Sequence, residues 1–270
     1  DREIVDRRRL VEIEPALALA ANQLVGGTYT PTDESGDARK FTQGLAEIIR
    51  LRGVDFLYSN CVLGLDPDAR DSKIRTVLIG SKAGTTTIAA RHFVVAMGSW
   101  SAPFLKPYGI DLPVYPAKGY SITIPLHDVG IAPVVSLTDD EHKLVYSNLG
   151  NRLRVAGMAE IDGYNTEIDA RRSQTIIQQA QALFPMAGPY QKAEIWAGLR
   201  PATPSNLPCI GPTPYRNLWV NTGHGTLGWT LAAGSGNRIA TLITDAMAER
   251  RRPPQLSAIE ELYPLLQWPI

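Results

Sequence analysis

Chemistry in this 270-residue chain concentrates around one stretch, Thr222-Gly-His-Gly-Thr-Leu-Gly-Trp-Thr-Leu-Ala-Ala-Gly-Ser-Gly236, which holds five glycines: Gly223, Gly225, Gly228, Gly234 and Gly236. It follows an apolar strand, Leu218-Trp219-Val220, and leads into a helix whose Ile239, Leu242, Ile243, Ala246 and Met247 share one face. A glycine-rich turn between strand and helix gathers backbone N–H groups and the positive end of a helix dipole at one spot. That spot suits phosphate, or the polar edge of a flavin ring, which gains negative charge on reduction. A turn whose glycines serve only close packing has the same spacing, and the motif alone does not separate these readings. A second turn of small residues, Gly98-Ser-Trp-Ser101, follows the apolar run His92-Phe-Val-Val-Ala-Met-Gly98. Arg200 lies just upstream of the first stretch.

Other chemistries lack their residues. Ser99 and Ser101 are not in a G-x-S-x-G context, and no nucleophilic triad is indicated. There is no H-E-x-x-H, P-loop or zinc-deaminase signature. The histidines His92, His127, His142 and His224 show no metal-ligand spacing, so no metal site is expected. Cys61 and Cys209 form no C-x-x-C pair, which speaks against a disulfide scaffold and for a reducing compartment. Lys plus Arg balance Asp plus Glu at 27 each, giving no charge argument for nucleic acid. Two basic runs stand out, Arg7-Arg8-Arg9 and Arg250-Arg251-Arg252, the second closing a helix where cations offset the dipole. No apolar run approaches the roughly 20 residues of a membrane-spanning helix, and no signal peptide is visible. The hydrophobic fraction of 44% and charged fraction of 20% fit a globular chain with a sizeable core.

The elements that must position these turns alternate between two kinds. Residues 4–24 read as helical, interrupted at Pro15. Val25–Thr30 reads as a short strand. Asp37 caps a helix over Ala38–Arg52, with Phe41, Leu45, Ile48 and Ile49 on one face and Gly53 ending it. Val54–Tyr58 and Cys61–Leu65 read as strands, Ile74–Ile79 and Thr85–Ala89 as a hairpin. The run from His92 fits a strand buried on both faces, as in a parallel sheet, where ligands sit beyond the carboxyl ends. The middle differs: Tyr120, Ile122 and Ile124 alternate with polar residues, and Leu144–Asn148 and Arg152–Ala156 flank a Gly150-Asn151 turn. These read as an antiparallel sheet with one wet or ligand-facing side. A helix follows over Asp169–Phe184, then a strand Glu194–Leu199, and a proline-stiffened loop Arg200–Pro208. The fold class is α/β with an α+β insertion: a Rossmann-like part around a parallel sheet and an antiparallel part. The expected division is 1–36 as edge of the antiparallel part and linker, 37–110 and 201–270 as pieces of the Rossmann-like part, and 111–200 as the antiparallel part.

Taken in order, several motifs resemble the D-amino acid oxidase family of flavoproteins. They are Asp33-Glu-Ser-Gly-Asp37, Val94–Ser101, Pro113-Val-Tyr-Pro-Ala-Lys-Gly-Tyr-Ser121, Gly198-Leu-Arg-Pro-Ala-Thr203, Pro208-Cys-Ile-Gly211 and Asn221–Thr230. The likeness runs from about Val11 to Ala248. Members of the family open with a βαβ unit that carries the FAD pyrophosphate loop and an acidic residue on the adenosine ribose. That opening unit has no counterpart here, and the first matched residue falls well inside a member. With the start at Asp1 directly into charged sequence, a C-terminal piece of a longer chain, or a chain whose partner carries that unit, is expected.

The resemblance implies that the Rossmann-like part is an incomplete FAD-binding domain and the antiparallel part a substrate domain, with FAD as cofactor and a reaction in which a hydride passes from the α-carbon of a D-amino acid to flavin N5. The resulting imino acid hydrolyses to a keto acid and ammonia. The protein must bind, orient and tune. Arg200 suits the substrate carboxylate, held by two parallel bonds, although an arginine stacked on neighbouring prolines has the same sequence. Tyr120 and Tyr146 could bind that carboxylate or cap the site, though sheet packing is the commoner fate of a strand tyrosine. Gly223, His224, Gly225, Thr226, Leu227, Gly228, Trp229 and Thr230 would form the flavin-edge turn, with backbone N–H groups toward the ring's N1–C2=O edge. His224 would contact the ring or make a hydrogen bond within the turn. Val62 would meet the adenine, and Ala96, Met97, Gly98 and Trp100 the middle of the cofactor, with Trp100 also readable as core. Thr203 stands where oxygen-using oxidases have a second arginine, which favours the dehydrogenase branch. That branch implies electrons passed to quinone or another respiratory-chain acceptor, by a cytoplasmic protein or one held peripherally on the inner face of the bacterial plasma membrane, as a homo- or hetero-oligomer. Two further readings remain open: the same fold acting on glycine, sarcosine, proline or hydroxyproline, and a non-catalytic subunit.

Overall fold

The computed structural model describes residues 2–68, 70–128 and 132–249. The basic run 250–252 and the proline-led tail 253–270 lie outside the described residues. In chain order the strands are β1 (Glu3–Asp6), β2 (Gly26–Tyr29), β3 (Cys61–Asp68), β4 (Lys73–Ser81), β5 (Gly84–Ala89), β6 (Phe93–Val95), β7 (Tyr115–Pro125), β8 (Leu137–Asp139), β9 (Leu144–Asn148), β10 (Arg152–Ile161), β11 (Glu194–Ala202), β12 (Cys209–Pro212) and β13 (Leu218–Thr222). The α-helices are α1 (Arg7–Ile13), α2 (Ala38–Leu51), α3 (Ser101–Leu105), α4 (Ala170–Leu183) and α5 (Gly228–Glu249). The chain forms two compact units, each assembled from two separate segments: Asp1–Ile48 with Lys118–Leu199, and Ile49–Ala117 with Arg200–Ile270.

The first unit is built on a five-stranded sheet in the order β11-β7-β10-β9-β8. β9 and β10 pair antiparallel with Leu153 opposite Asn148, across a turn in which Gly150 takes a left-handed conformation at φ 84°. α4 starts where Asp169 accepts hydrogen bonds from the N–H groups of Arg171 (2.7 Å) and Arg172 (3.3 Å). Its 3.6-residue repeat brings Ile176 and Ala180 into the core with Tyr120, Ile122, Ile124, Tyr146, Leu153, Val155 and Phe184. α2, capped by Asp37 through the Lys40 N–H at 3.0 Å, buries none of its residues fully.

The second unit holds two three-stranded sheets. In one, ordered β12-β13-β6, β13 runs parallel to β6 with Leu218 opposite Phe93 and Val220 opposite Val95. In the other, β4 pairs antiparallel with β3 and with β5. Asn217 ties them together as a substitute strand partner: its amide accepts from the Ile74 N–H and donates to the Ile74 carbonyl, each at 2.8 Å. Ile74, Val95, Leu105, Ile110, Leu112, Leu218 and Val220 form the core beneath.

Some elements depart from the sequence-based expectations. The expected helical stretch 4–24 is strand β1, helix α1 and a 3-10 helix over Pro15–Gln23. Asp6 caps α1 and so ends the strand, while a side chain at Gly26 would meet the Val5 carbonyl oxygen at 2.8 Å, so only glycine lets β2 close on β1. Val54–Tyr58 has no strand partner among the described residues: Gly53 (φ 89°) turns the chain out of α2 and the rings of Phe56 and Tyr58 stack at 5.4 Å. β7 is buried on both faces through most of its length, Ser121 included at 2% exposure, so its polar alternation does not mark a wet side. β11 runs on through Arg200, Pro201 and Ala202 instead of ending at Leu199. α5 begins at Gly228, which places Gly234 and Gly236 inside the helix.

Candidate functional site

The two glycine turns meet in the second unit because β6 and β13 are parallel neighbours and both chains leave the sheet on the same side. After β6 the chain turns at Gly98, in a left-handed conformation at φ 56°, into a 3-10 turn Gly98–Trp100 and then α3. After β13 it turns at Gly223 (φ 82°) and Gly225 (φ 52°), through a 3-10 turn Gly225–Leu227, into α5. The Thr222 hydroxyl, 1% exposed, donates to the Gly98 carbonyl oxygen at 2.8 Å and holds one turn against the other. Ser101 Oγ accepts from the Met97 N–H at 3.1 Å and fixes the first turn from inside.

The glycines differ in why no side chain is tolerated. A Cβ at Gly223 would lie 2.9 Å from Thr203 Cγ2 and 3.3 Å from the Cys209 nitrogen, so this glycine permits a close approach within the unit. A Cβ at Gly98 or Gly225 would point into open space. Their backbones are therefore accessible, and only the left-handed conformation demands glycine. The first turn of α5 has N–H groups with no intrahelical partner and the positive end of its dipole at this surface.

Beside the second turn is a cavity of about 330 Å³, lined by Pro201, Asn221, His224, Gly225, Gly228, Ala232 and Ser235. The Asn221 side-chain oxygen is buried with no hydrogen-bond partner among the described residues. His224 Nε2 is 2.8 Å from Ser235 Oγ. Burial pushes the His224 imidazole below its ordinary pKa, which keeps it neutral near pH 7. Burial also lowers Arg200, from a value high enough that the guanidinium stays charged. Arg200 is partly buried and immediately precedes Pro201 of the cavity wall.

Of the residues singled out from sequence, Arg200, Val62, Ala96, Met97, Gly98, Trp100 and Gly223 through Thr230 all belong to the second unit. Ala96, Thr226, Leu227, Trp229 and Thr230 are exposed, as is Trp100 at 51%, so Trp100 does not serve as core. Val62 stands on β3, 42% exposed, in a different sheet of that unit from the two turns. Tyr120 and Tyr146 belong to the first unit and are 1% and 0% exposed. Tyr120 donates to Glu160 Oε2 at 2.6 Å, beside buried Lys118, whose Nζ is 3.0 Å from the same carboxylate. Tyr146 packs edge-on against Phe184 at 5.3 Å, and its hydroxyl has no hydrogen-bond partner among the described residues. Both rings thus serve the sheet's packing, and neither hydroxyl is at an open surface. Sequence reasoning passed over Thr222, Asn221, Pro201 and Ser235, which shape the turn and cavity. Thr222 and Asn221 directly precede Gly223, and that adjacency was the available signal. It also passed over a spacing: Gly223-x-Gly225-x-x-Gly228 is itself G-x-G-x-x-G, between a strand and a 22-residue helix.

The donor set fits a flavin. Accessible glycine backbone, a helix N-terminus and the orphaned Asn221 side-chain oxygen together match a ring edge that alternates acceptors and an N–H. The comparisons agree. The family described as DAO, FAD dependent oxidoreductase, matches residues 1–242. A D-amino acid dehydrogenase of Dechloromonas aromatica (strain RCB) is 52% identical over 254 residues, 94% of this chain and 60% of the relative. Another, of Paramagnetospirillum magneticum (strain ATCC 700264 / AMB-1), is 48% identical over 232 residues, 86% of this chain and 54% of the relative. The chain thus spans somewhat over half the length of these curated relatives. Among solved structures, glycine oxidase from Bacillus cereus ATCC 14579 superposes with a TM-score of 0.76 at 23% identity, covering 91% of this chain and 66% of that one. L-proline dehydrogenase from P. horikoshii does so with 0.76 at 18% identity, covering 91% and 65%. Mixed α/β units, paired glycine turns and a family match over most of the chain lead to one statement: the chain belongs to the DAO family of FAD-dependent oxidoreductases.

Proposed function

We propose that the protein takes part in FAD-dependent oxidative deamination of D-amino acids, with this chain contributing the flavin-edge turn and the carboxylate clamp. The observation that carries the reading is the pair of glycine turns joined by Thr222 and Gly98, in a chain about half identical to proteins named D-amino acid dehydrogenase. Gly223, Gly225 and the first turn of α5 would hold the flavin's electron-rich edge, and Gly98 with Met97 and Trp100 the stretch beyond it. FAD, when bound, supplies the hydride acceptor. Arg200 holds the substrate carboxylate by its guanidinium fork and so orients the α-carbon. The substrate loses a hydride from that carbon and a proton from its amine, and water then converts the imino acid to keto acid and ammonia. N–H groups of the turn offset negative charge near the ring.

With the dehydrogenase branch read from Thr203, electrons would pass to quinone or another respiratory-chain acceptor. A peripheral position on the inner face of the plasma membrane and self- or partner-association would serve that transfer. The test uses the protein encoded by the complete reading frame. It should be yellow, reduce a dye with D-alanine anaerobically and release little peroxide in air. Stoichiometric peroxide overturns the dehydrogenase reading. Turnover with glycine or L-proline but not D-alanine moves the substrate to those amines, and a colourless protein that stays so with added FAD points to a non-catalytic role.

A further inference from the structure

Ser235 is 6% exposed and makes two hydrogen bonds, to the Leu231 carbonyl oxygen at 2.7 Å and to His224 Nε2 at 2.8 Å. A carbonyl oxygen only accepts, so the serine hydrogen is committed to Leu231. Ser235 Oγ then has lone pairs and no hydrogen to offer the imidazole, and Nε2 must donate. A neutral imidazole carries one N–H, so Nδ1 is left as a bare acceptor. We propose that Ser235 is a positioning residue that locks His224 as the Nε2–H tautomer, making Nδ1 a standing acceptor at the glycine turn for a ligand that donates an N–H.

A second acceptor supports this ligand class. Asn221 Oδ1, buried and unpartnered among the described residues, lines the same cavity as His224. Two acceptors beside donor-rich backbone suit a ring edge with an imide N–H between carbonyl groups, as in the pyrimidine part of a flavin. This ligand half rests on the flavin reading above; the tautomer half does not.

The chain has four histidines, so selective ¹⁵N-histidine labelling of the full chain gives a simple spectrum, with His224 identified by its loss in H224Q. At mildly alkaline pH, His224 should show one protonated Nε2 and one unprotonated Nδ1. S235A should shift both nitrogens toward averaged positions, and S235T should restore them. A wild-type Nδ1–H form or a mixture overturns the proposal, as does an unchanged S235A spectrum. If S235A does not fold, the wild-type and S235T spectra still decide. Riboflavin and 3-methylriboflavin, which lacks the imide N–H, test the ligand half. A several-fold preference for riboflavin that shrinks in S235A supports it, and equal binding of the two overturns it. Binding of neither overturns the ligand half, leaves the flavin reading to the FAD test above, and leaves the spectra to judge Ser235.

Discussion

Thr222 Oγ1 and the Gly98 carbonyl oxygen, 2.8 Å apart, bind two turns separated by more than a hundred residues in sequence. Thr222 is 1% exposed, so water competes little for its hydroxyl. Thr222→Val should cost about 1 kcal/mol of stability and leave the Gly98 carbonyl unpaired. Thr222→Ser should restore most of it. Denaturant midpoints of the three proteins check the order, and a Val variant as stable as wild type removes the clasp from the account.

The two kinds of glycine give different penalties. Gly98→Ala meets open space and loses on the order of 1–2 kcal/mol for its left-handed backbone. Gly223→Ala meets that cost and also contacts Thr203 at 2.9 Å, so it should be the more destabilised of the two. Thermal midpoints compare them directly, and the reverse order would refute the packing role given to Gly223.

Tyr146→Phe removes a hydroxyl that is buried and unpartnered among the described residues, and whose pKa burial pushes up. Losing an unsatisfied polar group recovers on the order of 1 kcal/mol, so the variant should be as stable as wild type or more so, with unchanged turnover. A large loss of turnover in a stable Y146F would return this residue to the reacting site.

Arg200→Lys keeps a charge but not the bidentate fork, and Arg200→Met removes both. With Arg200 on the substrate carboxylate, R200M should lose about 2–5 kcal/mol in kcat/KM, on the order of 30- to several-thousand-fold, and R200K somewhat less. Steady-state kinetics on the complete protein decide, and wild-type kcat/KM in R200M ends the clamp.

The Lys118–Glu160 pair gives a pH dependence with a definite sign. Glu160 lies below its ordinary 4.5 because the Tyr120 hydroxyl, Lys118 and Arg172 all favour the carboxylate. Its contribution to stability is present above that ordinary value and is lost as pH falls through the lower folded value. Burial alone would lower Lys118, but Glu160 and Tyr120 outweigh it and raise it to about 12, so its share is present below its ordinary 10.5 and is lost as pH rises toward 12. E160Q should therefore be less stable than wild type at neutral pH, and the gap should close in acid. A gap unchanged down to about pH 3 contradicts this assignment.

Local signals carried much of the fold. Asp37 and Asp169 cap α2 and α4 where a short acceptor before a periodic run is expected, and Gly150 turns β9 into β10. The apolar run after His92 forms the parallel strand beside β13. Long-range pairing was not legible: β1 exists because Gly26 admits a backbone close to Val5, and Asn217 stands in for a strand against Ile74. The same limit governs the site. Glycine turns and Arg200 are visible as types and spacings. That Tyr120 turns to Glu160, and that Ser235 reaches His224 from within α5, depends on side-chain directions no spacing encodes.

The two-segment construction of each unit has a consequence for synthesis. The first unit joins Asp1–Ile48 to Lys118–Leu199, and the second joins Ile49–Ala117 to Arg200–Ile270. A ribosome emits about 5–20 residues per second, so early strands wait several seconds for their partners. Ile74 must wait for Asn217, and β6 for β13. Neither unit can close until its second segment has been made. No single cut between the units frees either as one continuous polypeptide.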